Sequence, residues 1–465
     1  MTLHQLQLCA DFMNILGIDI GTTTVTCLML NTDKKQVIES CTLKNDSFIE
    51  GRAFEKLQDP DIILNTVKTA IRDVCSQSVP DAIGVTGQMH GILYLDKDNK
   101  PCSPLMIWQD ERGNELFKDN ETYAEYLTRT TGIKAATGFG LTTHYYNLQN
   151  NLVPDDTVML STIHDYLVCV LTNQKPVTHS SDAGSLGFFD LNKLCFDKAA
   201  LNKAGINPDF LPEVYHNTTI AGKTDCDFLP SGIPVGVAIG DNQASFLGSV
   251  AEPERSVLVN VGTGSQVSFV TKSSDDVPCG EIRHLTDNEY LFVGSSLCGG
   301  RAYAILKNFF SLCADMLGGS SDGLYEKMDS LSENVFSLSD ELDINCEFCG
   351  SRENPAKRGS IENIGTDNFT PEKLICGVLK GVSSELKNLY SQAEHLLNNR
   401  PQKLVCSGNG LRKSHIWREI FSRDFSLPCE LPLHSEEAAV GACVFAGAAS
   451  GYFKDIKASQ DALLR

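Results

Sequence analysis

The sequence lacks the features that would make it a membrane or nucleic-acid-binding protein. Its 465 residues contain no apolar run of the roughly 20 residues that a membrane-spanning helix needs. Positive charge is scarce, because 59 acidic residues outnumber 39 lysines and arginines and give a net charge of −20. Nucleic-acid binding requires basic groups that neutralise phosphates, so we expect neither nucleic acid nor a membrane as a partner.

The chain also lacks signs of export. Its 17 cysteines follow no repeating framework, which is typical of reduced thiols. The first residues contain neither a basic segment nor a small-residue cleavage site, and Asp11 interrupts the apolar stretch that a signal peptide would need. We therefore expect a cytoplasmic protein. The sequence leaves a monomer and a homodimer open.

Two common nucleotide-binding motifs are absent as well. No GxxxxGK(S/T) sequence occurs, which excludes a P-loop. A GxG occurs at residues 262–264, but strand-like residues follow it where a dinucleotide-binding fold would have a helix. Because the net negative charge repels nucleotides at long range, any nucleotide site must be made by local groups.

What the chain does contain is a short repeat. A β-rich run, a turn of glycine and hydroxyl residues and a second β-rich run occur twice, each near the start of one half of the chain. The strands predicted around the two turns are residues 15–20, 25–30, 257–261 and 267–270. The alignment of the two turns equates Asp19 with Asn260, Gly21 with Gly262, Thr22 with Thr263 and Val25 with Gln266.

The repeat and the chain length predict a duplicated α/β domain. A single hydrophobic core stops growing at about 250–300 residues, so we place two domains at residues 1–250 and 251–465, with a ligand cleft between them. Further strands are predicted at residues 82–86, 92–95 and 233–239. Helices are predicted at residues 61–76, 157–171, 302–316, 371–397 and 436–449.

Both turns suit the binding of phosphate. Glycine lets backbone amides approach an anion, and hydroxyl side chains add donors. Asp19 ends the first strand, where its carboxylate can hold Mg²⁺ through water. A pair of ordinary glycine turns is the alternative. The candidate phosphate-binding residues are Gly21, Thr22, Thr23, Thr24, Gly262, Thr263, Gly264 and Ser265.

Asp241 is the candidate catalytic group. It follows the apolar run 233–239 and opens a predicted helix. An aspartate in that position either caps the helix or acts as a base that accepts a hydroxyl proton. The local sequence leaves both roles open.

Four segments together resemble the carbohydrate kinases of the FGGY family. They are residues 17–23, residues 87–91 (Gly-Gln-Met-His-Gly), residues 108–112 (Trp-Gln-Asp-Glu-Arg) and residues 240–245. Their order and approximate spacing agree with the family over nearly the whole chain. The resemblance implies two duplicated ribonuclease-H-like α/β domains, of the type found in actin and sugar kinases, with the active site in an interdomain cleft.

The resemblance also implies a reaction, the transfer of phosphate from ATP, with Mg²⁺, to a ketose, with Asp241 as the catalytic base. A C-terminal loop is implied to bind adenosine through Gly408, Asn409 and Gly410, although Ser407 and Asn409 depart from the family's glycine-rich form. For Asp110 and Arg112, a surface ion pair is the alternative. The implied sugar contacts are Gln88, Met89, His90, Trp108, Asp110, Arg112, Asp241 and Asn242.

The identity of the ketose rests on likeness alone. Residues 136–140, 163–166 and 243–245 favour sedoheptulose over xylulose. Both ketoses have the same arrangement at one end, so pocket residues near that end do not separate them. A nucleotide-gated protein of the same fold without sugar turnover is the other alternative, although it would need neither a base nor a polyol pocket.

Overall fold

The computed structural model describes residues 12–275, 277–350, 354 and 356–465, which form two compact units. Of these described residues, unit 1 contains those within Met1–Ala251, Arg283–Glu289 and Leu433–Arg465, and unit 2 those within Glu252–Ile282 and Tyr290–Pro432. The predicted boundary at residue 250 is close to the first division. The assignment of all of residues 251–465 to one domain is wrong, because two later segments belong to unit 1. Residues 1–11, on which the signal-peptide prediction rests, lie outside the described residues.

Unit 1 is built on a seven-stranded mixed sheet. In chain order its strands are β1 (Asn14–Ile20), β2 (Thr24–Asn31), β3 (Gln36–Lys44), β4 (Ala82–Gly87), β5 (Ile220–Lys223), β6 (Pro234–Gly236) and β7 (Ile239–Gly240). The spatial order is β5-β6-β4-β1-β2-β3, and β7 also pairs with β4. β1 runs antiparallel to β2 and parallel to β4. Nearly every residue of β1 and β4 is buried, as expected for strands covered on both faces.

The end of the chain packs directly on this sheet. A Cβ atom on Gly17 of β1 would lie 2.2 Å from the carbonyl oxygen of Ala439, and one on Gly84 of β4 would lie 1.9 Å from that of Ala442. Only glycine lets the helix Glu437–Ala449 approach the strands so closely. This packing explains why the C-terminal segment folds with unit 1.

The remaining elements of unit 1 are helices and short strands, and the short strands form small sheets of their own. Its shorter strands are Phe48–Ile49, Leu57–Gln58, Leu93–Leu95, Leu105–Met106, Met159–Ser161, Val177–His179, Phe189–Asp190, Cys195–Phe196 and Glu213–Tyr215. Its α-helices are Pro60–Val74, Tyr123–Thr131, Gly140–Gln149, Ile163–Thr172, Ser180–Ala183, Lys198–Ala204, Asp241–Ser249, Glu437–Ala449 and Ile456–Leu463. The helices Pro60–Val74 and Ile163–Thr172 pack their apolar side chains against the central strands.

Unit 2 contains a second sheet. Five of its six strands are β8 (Ser256–Val261), β9 (Ser265–Thr271), β10 (Glu289–Ser296), β11 (Lys403–Ser407) and β12 (Cys429–Glu430), in the spatial order β10-β9-β8-β11-β12, and the sixth is Glu281–Thr286. A small antiparallel pair is formed by Asp343–Asn345 and Ser360–Glu362. The strand Glu281–Thr286 begins in unit 2 and ends in unit 1. The helices are Gly300–Met316, Leu324–Ser332, Pro371–Ala393, Gly408–Lys413 and His415–Phe425.

The two sheets share one arrangement, which confirms the predicted duplication. Each has a hairpin, a third antiparallel strand beside its second strand, and a parallel strand beside its first. The turns differ in length, however. Ile20 pairs with Val25 in unit 1, whereas Val261 pairs with Ser265 in unit 2, so the second turn is one residue shorter. The predicted equivalence of Val25 with Gln266 is therefore wrong by one residue.

Two predicted elements also differ from the structure. The predicted strand 233–239 is divided into β6 and β7. The predicted helix 157–171 starts only at Ile163, after the short strand Met159–Ser161. Thr162 caps that helix by accepting a hydrogen bond from the Asp165 amide, a local signal that apolar periodicity does not reveal. Within the described ranges, none of the helices has both the length and the apolar character needed to cross a membrane.

Candidate active site

Asp241 lies directly after β7, as the first residue of the helix Asp241–Ser249. Gly240 occupies the capping position, so Asp241 is not the helix cap that the sequence left open. Asp241 is only partly exposed. Burial raises the pKa of its carboxyl to about 6, while the charges of His164 and Arg283 act in the opposite direction. The carboxyl is therefore largely ionised at neutral pH, with a pKa that suits a general base.

Asp19 lies one residue before the end of β1, in the same unit. Its Oδ1 atom is buried and has no hydrogen-bond partner among the described residues. Burial raises the pKa of the Asp19 carboxyl to about 8, and the charges of Asp241 and Glu436 raise it further, against the effect of His164. A divalent cation would relieve this concentration of negative charge, and carboxylate oxygens are the ligands that Mg²⁺ prefers. The donor set therefore fits a magnesium ion.

The first turn is linked by side chains to the predicted sugar-binding residues. The Trp108 indole donates a hydrogen bond of 3.0 Å to the Thr22 hydroxyl, which donates one of 3.0 Å to Gln88. The Gln88 amide donates to Gln58 (2.8 Å), and Gln58 donates back to the Thr22 carbonyl (2.8 Å). Gln88 and Gln58 are buried, whereas Trp108 is 47% exposed. The structure thus brings Thr22, Gln88 and Trp108 together and adds Gln58.

The rest of the first turn is more exposed. The Gly21 amide donates to the Thr24 carbonyl and thereby closes the turn, and Asn45 donates to the carbonyls of Gly21 and Thr23. Thr23 and Thr24 are exposed to solvent. Their side chains are accessible to a ligand, while the Gly21 amide is already engaged.

Met89 and His90 lie beside the strand end that leads to Asp241. A Cβ atom on Gly240 would lie 2.8 Å from the Met89 sulfur, so a larger residue there would displace the Met89 side chain. His90 has a left-handed backbone, with φ of 72°. Its ring stacks on Phe139 at a centroid distance of 5.1 Å. Met89 is buried and His90 is partly exposed, which makes His90 the more accessible of the two.

Asp110 and Arg112 form a buried pair, so the alternative of a surface ion pair is wrong. The Arg112 guanidinium donates two hydrogen bonds to the Asp110 carboxylate, at 2.7 and 3.0 Å, and a third to Asn147. The exposed fractions are 1% for Asp110 and 3% for Arg112. Lys56 contributes a backbone N–H to the same carboxylate. These groups are satisfied internally and hold the loop 108–112 in place.

The second turn contacts the start of a helix in unit 2. The Gly262 carbonyl accepts a hydrogen bond from the Gly300 amide (2.8 Å), and the Thr263 carbonyl accepts from Gly299 (3.0 Å) and Arg301 (3.1 Å). A Cβ atom on Gly299 would lie 2.3 Å from the Gly264 carbonyl oxygen. Glycines at the start of the helix Gly300–Met316 therefore permit the contact. Thr263 is exposed and Ser265 is buried.

The predicted adenosine loop lies beside the same strand end of unit 2. Gly408 has φ of 81°, and a Cβ atom there would lie 2.6 Å from the Val261 carbonyl oxygen. Gly410 is similarly close to Val261, at 3.0 Å. Asn409 is exposed between them. The second turn and the loop 408–410 thus converge within one unit.

Several residues of this site carried no motif that sequence reasoning could use. Gln58 and Asn147 make their hydrogen bonds to residues that are distant in the chain, and both stand in unremarkable local sequence. Gly299 and Gly300 could have been identified from the sequence as a further part of this site, because adjacent glycines at the start of a predicted helix resemble the two glycine turns. Asn242, predicted as a sugar contact, follows Asp241 in the first helical turn and is partly exposed.

This geometry has counterparts in known proteins. Residues 14–248 match the model described as FGGY family of carbohydrate kinases, N-terminal domain. The chain is 26% identical to the sedoheptulokinase of Mus musculus, with 89% of this chain and 93% of that protein covered. It resembles the solved xylulose kinase of Rhodospirillum rubrum with a TM-score of 0.83 and 20% identity, covering 97% of this chain and 93% of that one. For the glycerol kinase of Plasmodium falciparum, solved with ADP, the TM-score is 0.81 at 20% identity, covering 97% of this chain and 92% of that one.

The two solved structures share the fold of this chain over nearly its whole length, which confirms the predicted α/β fold of the actin and sugar-kinase type. The family match covers half of the chain and ends near the first division at Ala251. It includes the first turn, the segments predicted to bind sugar and Asp241. The chain therefore belongs to the FGGY family of carbohydrate kinases.

Proposed function

We propose that this carbohydrate kinase transfers the terminal phosphoryl group of ATP to a primary hydroxyl of a ketose, with Asp241 as the general base. Asp241 carries the proposal. Asp241 begins a helix and is partly exposed, and burial raises the pKa of its carboxyl to about 6. A base with a pKa near the working pH combines the ionised form with useful proton affinity. Asp241 would accept the hydroxyl proton as the oxygen attacks phosphorus.

We assign the remaining predicted residues to binding. His90, Trp108 and Asn242 are accessible enough to contact the ketose, whereas Gln88, Met89, Asp110 and Arg112 form the buried support of that pocket. The accessible polar groups would pair with hydroxyls of the ketose, so a sugar that lacks one of these hydroxyls would leave a group unpaired and bind more weakly.

ATP binding is assigned to the two turns and to Gly408, Asn409 and Gly410. The likeness to a glycerol kinase solved with ADP supports a nucleotide site in this fold. Asp19 would hold Mg²⁺ through its unpartnered oxygen. Magnesium-bound ATP supplies the phosphoryl group and part of the charge compensation that its transfer requires.

Sedoheptulose is our first candidate for the ketose, giving sedoheptulose 7-phosphate. The 26% identity with mouse sedoheptulokinase over most of both chains supports it. Xylulose is the second candidate, because the Rhodospirillum rubrum xylulose kinase shares the fold. Sedoheptulose has a longer carbon chain than xylulose, and the two ketoses are alike at one end. The part of the pocket that binds the opposite end of the ketose therefore determines which of them is preferred.

A panel of substrates tests this proposal. Full-length protein with ATP and Mg²⁺ is assayed for ADP release with sedoheptulose, xylulose, glycerol and gluconate. We expect the highest kcat/KM with sedoheptulose, and a loss of about 10²- to 10⁴-fold in kcat for the control variant Asp241→Asn, the usual contribution of a general base. A higher kcat/KM with xylulose would favour the second candidate. Failure of every sugar to stimulate ADP release would support a nucleotide-gated protein, and wild-type turnover by folded Asp241→Asn would refute the base.

A further inference from the structure

The segment 180–186, made of the helix Ser180–Ala183 and the turn Gly184–Leu186, makes two hydrogen bonds to His90. The Ser185 hydroxyl accepts from the His90 backbone amide (3.0 Å), and the Ser185 carbonyl lies 2.8 Å from His90 Nδ1. Because a carbonyl oxygen can only accept, Nδ1 must carry a proton. In the neutral ring Nε2 is then the accepting nitrogen. Ser185 thus fixes both the left-handed backbone and the tautomer of His90.

Ser185 is in turn held by a buried ion pair. Its hydroxyl donates to Asp182 Oδ1 (3.0 Å), and Asp182 Oδ2 lies 3.0 Å from His164 Nε2. Both side chains of the pair are completely buried. Burial lowers the pKa of His164, but the charge and hydrogen bond of Asp182 together with the charges of Asp165 and Asp241 outweigh it, and the pKa is raised to about 9. A buried charge pair of this kind is costly to break, so it fixes the position of Ser185.

The other end of the segment contacts the backbone around Asp241. The Ser181 hydroxyl accepts a hydrogen bond of 3.2 Å from the Gly240 amide. The Ser181 carbonyl accepts one of 2.8 Å from the Gln243 side chain. Asp241 therefore lies between two residues that are both tied to Ser181.

We propose that residues 180–186 are a positioning segment, in which Ser185 orients the sugar-binding His90, Ser181 orients the base Asp241, and the His164–Asp182 pair anchors both. This inference rests on the function proposed above and extends it to residues that touch neither substrate. It explains why a fully buried ion pair lies beside two groups that must be held in one geometry. Small displacements of such groups cost large factors in rate and affinity.

The first test measures ketose binding by calorimetry without ATP, using full-length protein. Ser185→Ala should weaken ketose binding about tenfold, because the His90 backbone amide loses the hydroxyl that accepts its hydrogen bond and the left-handed backbone of His90 is less restrained. Ser185→Thr, which keeps the hydroxyl, should restore most of the affinity. Ser103→Ala is the matched control, since the Ser103 hydroxyl also accepts from a backbone amide, that of Tyr94, and donates to another oxygen. It should bind the ketose like wild type. Equal ketose affinity of Ser185→Ala and wild type would overturn the inference.

The second test separates the two ends of the segment. Ser181→Ala should lower kcat about tenfold with less than about a twofold change in ketose affinity, the reverse of the pattern for Ser185→Ala. A general loosening of the fold would instead lower both quantities in both variants, and that result would overturn the positioning role. Circular dichroism and the thermal unfolding temperature of each variant check that it is folded.

Ketose binding by the wild-type protein separates the failure of the proposed function from the failure of this inference. If wild-type protein binds no ketose, both fail, whereas normal wild-type binding with unaffected variants overturns the inference alone.

A bound metal is a second outcome that would change the inference. His164, Asp165 and Asp182 each place one potential metal ligand within 4.8 Å of the others. One tightly bound transition metal per chain in elemental analysis, lost in His164→Gln, would replace the ion pair as the anchor and overturn that part of the inference.

Discussion

Asp19 and Asn260 occupy equivalent positions in the two repeated hairpins, one residue before the end of β1 and of β8. The Asn260 side chain donates a hydrogen bond of 2.8 Å to Ser407 at the end of the adjacent parallel strand. Asp19 has a buried oxygen without a partner among the described residues, and its pKa is raised to about 8. The same scaffold thus carries a satisfied neutral group in unit 2 and an unsatisfied acid in unit 1.

This difference indicates that the equivalent position has a structural role in unit 2 and a functional role in unit 1. A satisfied amide ties two strands together, and it contributes about 1 kcal/mol as an ordinary hydrogen bond. An acid without a partner weakens the fold unless a cation or a proton compensates it. Such a feature persists where function requires it, and here it lies in the unit that also contains Asp241.

The sharpest test of this comparison changes both positions. Asp19→Asn should raise the Mg²⁺ concentration needed for half-maximal turnover by about 10- to 100-fold, the usual effect of losing a group that orients a metal through its water ligands. Asn260→Asp should leave the Mg²⁺ requirement unchanged and lower the thermal unfolding temperature, because Ser407 loses its hydrogen-bond donor. Titrating Mg²⁺ against turnover in both variants checks this. A raised Mg²⁺ requirement in Asn260→Asp would remove the distinction between the two hairpins.

The sequence predicted the hairpins because their strands are local and bounded by glycine turns, and Asp19, Gly21 and Gly262 were found in this way. It did not predict that residues 433–465 fold with unit 1, since the contact of Gly17 with Ala439 joins positions far apart in the chain. Ser185 escaped notice for a similar reason. Its role depends on His90, which only the folded chain brings near.

A second prediction concerns pH and compares Asp241 with Glu385 of unit 2. Burial raises the pKa of Asp241 to about 6 and that of Glu385 to about 7. Because a base must be ionised, kcat/KM should fall about tenfold for each pH unit below about 6. Protein stability should change with pH in the other direction. Because the pKa of Asp241 is higher in the folded than in the unfolded protein, protonated Asp241 stabilises the folded state, and this contribution is lost as pH rises from about 4 through 6.

The pH dependence of kcat/KM measured from pH 5 to 8 tests this assignment. The charged groups that act on Asp241 are His164, Arg283, Asp182 and Asp19. Glu385→Gln is the control from the other unit, and it should keep the acid limb of the profile in place. Loss of that acid limb in Glu385→Gln would show that Glu385 of unit 2, and not Asp241, is the group whose titration controls kcat/KM.

The smallest expected effect separates the two turns themselves. The Thr22 hydroxyl joins Trp108 to Gln88, so Thr22→Val should weaken ketose binding about three- to tenfold, the range of one or two ordinary hydrogen bonds. Thr263 is exposed, and its carbonyl rather than its side chain holds the helix start at Gly299. Thr263→Val should therefore leave ketose affinity unchanged and weaken ATP binding a few-fold. Calorimetry with each ligand on both variants measures the four affinities. Equal losses of ketose affinity in the two variants would mean that the hydrogen bonds of Thr22 to Trp108 and Gln88 contribute nothing specific to the proposed sugar site.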